Sequence, residues 1–399
     1  MKMYTVPPVN LPKFETLLNQ LVSTPSISSP SSDWDQGNLP LITILAEWFE
    51  ALGFKVEINL IPGLVNKANM IATLGEGANG LVLSGHTDTV PYDPKQWMTD
   101  PFKLIERDQK FYGLGTCDMK GFFPIIVEAL RGMENAVLTQ PLIILATADE
   151  ESSMSGARAL ADSGTIQGRA AVIGEPTSLR PIRMHKGILM ESIVVSGGSG
   201  HSSNPSLGNS ALEGMHELLG ELLAFRSRIQ SQHQNNLFEV SVPTLNLGRI
   251  HGGDSPNRIC GHCELSFDLR PLPGMDTEAL KSEVRKLAKK VEIKRGLQIN
   301  VESLFGGVQP FETGAQTELV RLCESLTGHD AGAVAFATEA PFLSSMGLET
   351  IVMGAGSIDQ AHQPNEFLAM NQIKPMSDVL CELITRYCVD INETGKNNE

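Results

Sequence analysis

Positive charge is scarce in this chain. Of its 399 residues, 31 are Lys or Arg against 46 Asp or Glu, for a net charge of −15. A field of that sign repels phosphate backbones and anionic lipid, so neither a nucleic-acid nor a membrane partner is expected. Long apolar runs are missing as well, since nothing approaches the ~20 uncharged residues that span a bilayer. The opening MKMYTVPPVNLPKF has two adjacent prolines and no apolar stretch, and does not read as a secretory signal. Cysteine is sparse, six residues in all. That density does not make a disulfide scaffold, and a reduced, cytoplasmic setting is expected. No internal repeat of roughly 20–50 residues is visible. The one biased segment is the polar tail Asn392–Glu399, expected to fray.

What is present describes a globular protein, with 41% hydrophobic and 19% charged residues. The length exceeds the roughly 250–300 residues at which single cores stop growing, so two domains are expected. Leu41–Leu52 carries apolar residues at helical spacing, with Pro40 suited to a first turn and Gly53 to a stop. Lys55–Leu60, Asn69–Leu74, Leu81–Ser84, Leu142–Thr147 and Ala170–Ile173 are apolar runs of strand length, and a helix is expected from about Gly121 to Arg131. This alternation predicts an α/β domain with a mainly parallel sheet, whose ligands gather beyond the carboxyl ends of the strands.

From about Arg183 the texture changes. Strands over Ile188–Val195, Thr244–Ile250, Ile259–Leu269 and Gln298–Leu304 are expected with helices over Asn209–Arg228 and Asp276–Val291. After Gln309 the βα texture resumes, with a strand at Thr350–Met353 and a C-terminal helix. The prediction is one catalytic domain, residues 1–182 and 310–399, split by an inserted α+β sandwich over 183–309.

Three short patterns are set aside. Gly75-Glu-Gly77-Ala-Asn-Gly80 matches a dinucleotide-binding pattern, but no helix begins at Gly80 to face a pyrophosphate. Gly197-Gly-Ser199-Gly-His201 breaks the nucleophile-elbow pattern at its last position. Cys260-Gly-His-Cys263 is half of a zinc-site spacing with no second pair after it.

Chemistry gathers at strand ends. The strand at Leu81 runs into Gly85-His86-Thr87-Asp88, where a histidine can ligate a metal while the aspartate holds its other ring nitrogen. Taken alone, a hydrogen-bonded loop histidine explains that pair as well. Asp118, in Gly115-Thr-Cys-Asp118-Met-Lys120-Gly121, precedes a helix and could simply cap it. Thr147-Ala-Asp149-Glu150-Glu151 puts adjacent acids at a strand's carboxyl end, where they repel unless a cation lies between them. Gly174-Glu175-Pro176 ends a further strand, and Gln360-Ala-His362-Gln-Pro364-Asn-Glu366 follows the last one. Together these supply a mix of nitrogen and carboxylate donors that suits Zn²⁺, Co²⁺ or Mn²⁺. One zinc ion would leave surplus carboxylates unpaired, whereas two ions ~3.5–4 Å apart account for them.

The set GHTDTVP, YGLGTCDMKG, ATADEESSMSGAR, GEPTS, GHSSNP, NRIC, TEAP and GAGSIDQAHQPNEF resembles the M20 family of metal-dependent amidohydrolases and peptidases, over roughly Leu11 to Cys388. The HKG, NRIC, TEAP and QAHQPNE segments point, within it, to a branch that acts on an N-acetylated amino acid. The resemblance implies a zinc-hydrolase domain holding two Zn²⁺ per subunit, with Co²⁺ as a substitute. His86, Asp118 and Glu175 would hold one ion and Asp118, Glu151 and His362 the other, so that Asp118 bridges. Asp88 matches the acid that orients the first histidine. Glu150 matches the general base acting on a metal-bridging water that attacks the acyl carbonyl.

The resemblance also implies a homodimer formed through the inserted dimerisation and lid domain, with His201 reaching the partner subunit's site. For a small-molecule substrate with an α-carboxylate, Asn257, Arg258 and Arg270 offer the donors. Arg270 suits a salt bridge with Asp268 equally well. Glu339 is expected either to attract a substrate ammonium or to stand behind a metal ligand. A sister amidase or a di- or tripeptidase would keep the same ligands, while a metal-free binding protein would be expected to have lost one of them or Glu150.

Overall fold

The computed structural model describes residues 4–389; the tail Asn392–Glu399 lies outside the described residues. The chain divides into two compact units, Met1–Arg183 with Thr313–Gly332 and Glu339–Glu399, and Met184–Glu312 with Ala333–Thr338.

In the first unit six strands lie in the order Glu349–Val352, Ala170–Ile173, Leu81–His86, Leu142–Thr147, Ala68–Leu74 and Lys55–Leu60. The first four run parallel to one another. Ala68–Leu74 is antiparallel to both of its neighbours. The sheet is therefore mixed, with the parallel part confined to its centre. The reason lies in the connections. Only a short turn, with no crossover helix, joins Lys55–Leu60 to Ala68–Leu74, and that favours an antiparallel hairpin.

The central strands are apolar because both faces are covered. Leu81–His86, Leu142–Thr147 and Ala170–Ile173 are buried at every position. Their register brings His86 beside Thr147, so the polar motifs that follow these two strands begin side by side at the carboxyl ends of the parallel strands. Helix Leu39–Ala51 has Pro40 near its start and stops before Gly53, whose φ of 76° is the left-handed value a glycine tolerates. Helix Phe122–Arg131 buries eight side chains and packs Phe122 and Phe123 onto the sheet. Phe122 lies so close over Gly174 that any side chain there would collide with its ring, which explains the glycine of the Gly174-Glu175 motif.

The second unit is a four-stranded antiparallel sheet, Thr244–Gly252, His262–Arg270, Leu189–Ser196 and Gln298–Ser303, with helices Ala211–Gln232 and Thr277–Arg295. Asp276 caps the second helix by accepting the N–H groups of Glu278 and Ala279 at 2.9 and 3.1 Å. Its core joins Ile193, Val195, Leu218, Leu222, Phe225 and Val284. Cys260 and Cys263 are buried free thiols in this unit, and the Cys260 thiol donates to the His262 carbonyl. The Gly75–Gly80 segment is a turn between two strands, as its lack of a following helix predicts.

Candidate metal centre

The loops that leave the parallel strands converge on one cluster. His86 ends its strand and is almost wholly buried. Its Nε2 lies 3.0 Å from Asp118 Oδ1 and 3.8 Å from Glu175 Oε1. The other oxygen of Asp118 lies 3.4 Å from His362 Nε2, which in turn lies 2.9 Å from Glu151 Oε2. Two donor groups result, His86–Asp118–Glu175 and Asp118–Glu151–His362, each with its atoms within 4.8 Å of one another and with Asp118 common to both. Four of the five side chains are buried to within a few per cent. The His362 side chain is 54% exposed and marks the open side. A cavity of about 190 Å³ opens there, lined by Tyr92, Trp97, Leu114, His362 and Pro364.

Backbone anchors hold this arrangement. The Asp88 carboxylate accepts the N–H groups of Glu150 at 3.2 Å and Glu151 at 3.0 Å. The His86 ring is steadied by the Asp88 main-chain carbonyl, 3.0 Å from Nδ1, while the carboxylate stands at 3.7 Å. The sequence pattern assigns that hold to the carboxylate. The buried carboxylate is better satisfied by two N–H groups of the Glu150–Glu151 turn, and so it ties that turn to the histidine loop. His362 sits at a left-handed φ of 59°, which re-aims its ring from a tight loop.

The three adjacent acids do not act alike. Asp149 turns away from the cluster and takes Lys67, Ser28 and Ser153 as partners. A protein cation therefore serves Asp149, and only Glu150 and Glu151 are left to face the histidines.

Two anchoring residues escape sequence reasoning. Glu366, 1% exposed, accepts three backbone N–H groups, from Gly115 at 2.9 Å, Cys117 at 2.7 Å and Asp118 at 2.9 Å. Thus the loop bearing His362 grips the loop bearing Asp118. Its only sequence signal is an acid four residues beyond His362. Lys120 is fully buried, donates to the carbonyls of Leu21 and Thr24, and is lowered by burial to about 7.

Of the other predicted residues, Glu339 stands close enough to His86 and Asp88 to act on their charge, and the rest belong to the second unit. Glu339 is buried in the first unit, and neither carboxylate oxygen has a well-formed hydrogen bond, although the Thr147 hydroxyl favours its ionised form. His201, Asn257 and Arg258 come together in the second unit. His201 bridges to Arg258, and the Asn257 carbonyl accepts the Ser202 N–H at 3.1 Å. Arg258 pairs with Asp254 at 2.6 Å. Arg270 spends its Nε on both oxygens of Asp268, at 3.0 and 2.8 Å, the salt bridge its spacing allows.

The electrostatics describe a site with too little positive charge of its own. Burial raises Glu150 and Glu175 well above the ordinary carboxylate range, with neighbouring acids adding to the shift. Burial and Asp118 raise Glu151, and burial lifts Glu339 to about 7. Hydrogen bonds to Asp118 and Glu151 hold His362 at about 10. Burial would lower His86, but Asp118, Glu175 and Glu150 outweigh it and raise it. Burial likewise opposes ionisation of Asp118, yet His362 and His86 pull it below the carboxylate range. Buried acids crowded around two imidazoles, with one carboxylate shared, fit a pair of divalent cations.

A pH dependence follows for metal-stripped protein. Raised carboxyls contribute stability that is present below their ordinary range and lost as pH climbs through neutrality, where Glu339 titrates at about 7. The raised histidines contribute stability below their ordinary value that is lost as pH rises toward the His362 value of about 10. Asp118 has the opposite sign, and its contribution is lost only in acid below the carboxylate range. Chelated protein is therefore expected to melt highest near pH ~5 and progressively lower up to pH ~8. Divalent metal should widen its advantage over that interval, by about tenfold in affinity per pH unit for each proton displaced. A chelated melting temperature that rises from pH ~5 to ~8 would contradict this.

Residues 82–386 match the sequence profile of peptidase family M20/M25/M40. The chain is 46% identical over 380 residues to the acetylornithine deacetylase of Pectobacterium carotovorum subsp. carotovorum strain PC1, covering 95% of this chain and 99% of that one. Its fold resembles a tripeptidase from Staphylococcus aureus subsp. aureus Mu50, with a TM-score of 0.72, 19% identity and coverage of 94% and 98%. It also resembles an M20 family metallo-carboxypeptidase from Sulfolobus solfataricus, with a TM-score of 0.73, 17% identity and coverage of 94% and 99%.

Proposed function

The chain belongs to peptidase family M20/M25/M40, and on that premise we propose that it hydrolyses the N-acetyl amide of N²-acetyl-L-ornithine. The products are L-ornithine and acetate, as a step of arginine biosynthesis. The observation that carries the reading is the pair of donor groups sharing Asp118, with Glu150 close enough to His86, Glu175 and Glu151 to feel their charge and belonging to neither group. The relative at 46% identity, matched over nearly its whole length, supports the substrate.

His86, Asp118 and Glu175 would hold one Zn²⁺, and Asp118, Glu151 and His362 a second, with Co²⁺ able to replace them. Bound there, the ions supply Lewis acidity that acidifies water and offsets charge on the acetyl oxygen. Glu150 takes the proton from the attacking water and returns it to the departing α-amine. Asp88 keeps the Glu150 backbone in place through its N–H. Glu366 does the same for Asp118.

The inserted unit completes the enzyme as a homodimer, with His201 of one copy serving the site of the other. Asn257 and Arg258 present donors for the substrate carboxylate, and Arg270 would do so by leaving Asp268. Glu339, closed off from solvent, fits an inner acid behind His86 better than a surface receptor for an ammonium. Free cysteines fit a reducing cytoplasm.

The test is release of ornithine from N²-acetyl-L-ornithine by metal-replete protein beside a chelated sample. Turnover that chelation abolishes and Zn²⁺ or Co²⁺ restores is the expected result. A metal-replete sample inert on this substrate but active on succinyl-diaminopimelate, on other acyl-amino acids or on small peptides would overturn the substrate and keep the reaction class.

A further inference from the structure

We propose that Lys67, acting through Asp149, is a positioning residue that aims the Glu150 carboxylate. The proposal rests on the reading of Glu150 as the general base. Lys67 precedes the strand Ala68–Leu74, and its side chain is only 6% exposed. Its ammonium bonds Asp35 Oδ1 at 2.7 Å and pairs with Asp149. Burying a lysine in this way is costly unless both partners are fixed, and here they are. Asp35 also accepts the Ser29 N–H at 3.0 Å. Asp149 also accepts the hydroxyls of Ser28 at 2.6 Å and Ser153 at 2.8 Å.

The position of Asp149 gives this network a task. Asp149 directly precedes Glu150 and sits at a left-handed φ of 67°, a conformation that costs free energy in a residue other than glycine. Its carbonyl accepts the N–H groups of Ser153 at 3.0 Å and Met154 at 2.6 Å. The kinked turn therefore depends on the Asp149 side chain being pinned. Ser28 extends the link, because its N–H bonds the Thr89 carbonyl at 2.9 Å. The loop bearing His86 and Asp88 and the turn bearing Glu150 and Glu151 are thereby joined twice, once by Asp88 directly and once through Ser28 to Asp149, the carboxylate that Lys67 holds.

The test compares Lys67→Met, Lys67→Arg and the doubles Lys67→Met/Asp149→Asn and Lys67→Met/Glu150→Gln. Lys67→Met is expected to lose about 10–100-fold in kcat with KM within about threefold, as small misplacements of a catalytic group do. Its metal content should match the parent's. Lys67→Arg, which can still reach both acids, should recover most of the loss. In the Glu150→Gln background the Lys67 change should cost nothing further, because its effect runs through that carboxylate. If Lys67→Met does not fold, Lys67→Met/Asp149→Asn, which leaves no buried charge unpaired, carries the same expectation.

Parent-like kcat in folded, metal-loaded Lys67→Met, or in Lys67→Met/Asp149→Asn where the single variant does not fold, would overturn the proposal. So would a loss that added metal reverses, or one that persists undiminished in the Glu150→Gln background. Failure of the underlying reading looks different, since Glu150→Gln would then itself be as active as the parent.

Discussion

Replacing Glu150 with Gln is expected to lower kcat by about 10²–10⁴-fold, the range general acid–base catalysis supplies, with little change in KM. Glu150 feels the charge of both donor groups without belonging to either. Gln keeps its volume and hydrogen-bonding reach but cannot take a proton from water. The backbone of the turn is unaffected, because Asp88 grips it by main-chain N–H groups rather than by the side chain that changes. Two ions per chain should remain, and the chelated variant should gain stability near neutrality. The second expectation follows from sign: burial raises the Glu150 carboxyl, so ionising it at higher pH costs the metal-free fold stability that Gln does not lose. Metal analysis and steady-state kinetics on one preparation decide the matter. A variant that loses kcat and metal together would make Glu150 a ligand, and one that keeps parental kcat would remove it from the chemistry.

Much of this site was legible because parallel strands advertise their ends. Leu81–His86, Leu142–Thr147 and Ala170–Ile173 are buried throughout, so each reads as an apolar run, and the polar residues that follow must serve something outside the core. Strand direction was less legible. Ala68–Leu74 and Leu81–His86 are joined by a short turn, yet Leu142–Thr147 lies between them, parallel to one and antiparallel to the other. No local pattern encodes that order. Helix Ser155–Ser163 gave almost no signal, since its buried face is Gly156, Ala157 and Leu160. The anchors were hidden for a different reason. Glu366 acts on backbone N–H groups some 250 residues away in sequence, and Lys67 on a carboxylate 82 residues away. Charge at such positions looks like surface charge until the fold closes. Asp88 shows the same limit in miniature: the spacing marks it as a neighbour of His86, but not which of its oxygens holds the ring.

Changing Asp118 to Asn should remove more than any other single ligand substitution, because Asp118 is the one donor both groups share. The variant backbone stays in place through the Asp118 N–H, which Glu366 accepts at 2.9 Å. What is lost is one negative charge and one oxygen, and the second ion is then left with Glu151 and His362 alone. At least one ion should dissociate on dialysis against dilute metal, with affinity down by about 10–100-fold or more, and kcat/KM should fall by about 10³-fold or beyond. The metal-free state changes too. Asp118 is the acid that reaches both histidines, 3.0 Å from His86 and 3.4 Å from His362. Without it both should titrate lower, so the chelated variant should lose less stability between pH ~5 and ~8 than the chelated parent. Melting curves with and without metal at the two pH values read both effects at once. Two tightly held ions and activity within about tenfold of the parent would mean that the two groups do not share this carboxylate, and that a different residue bridges them.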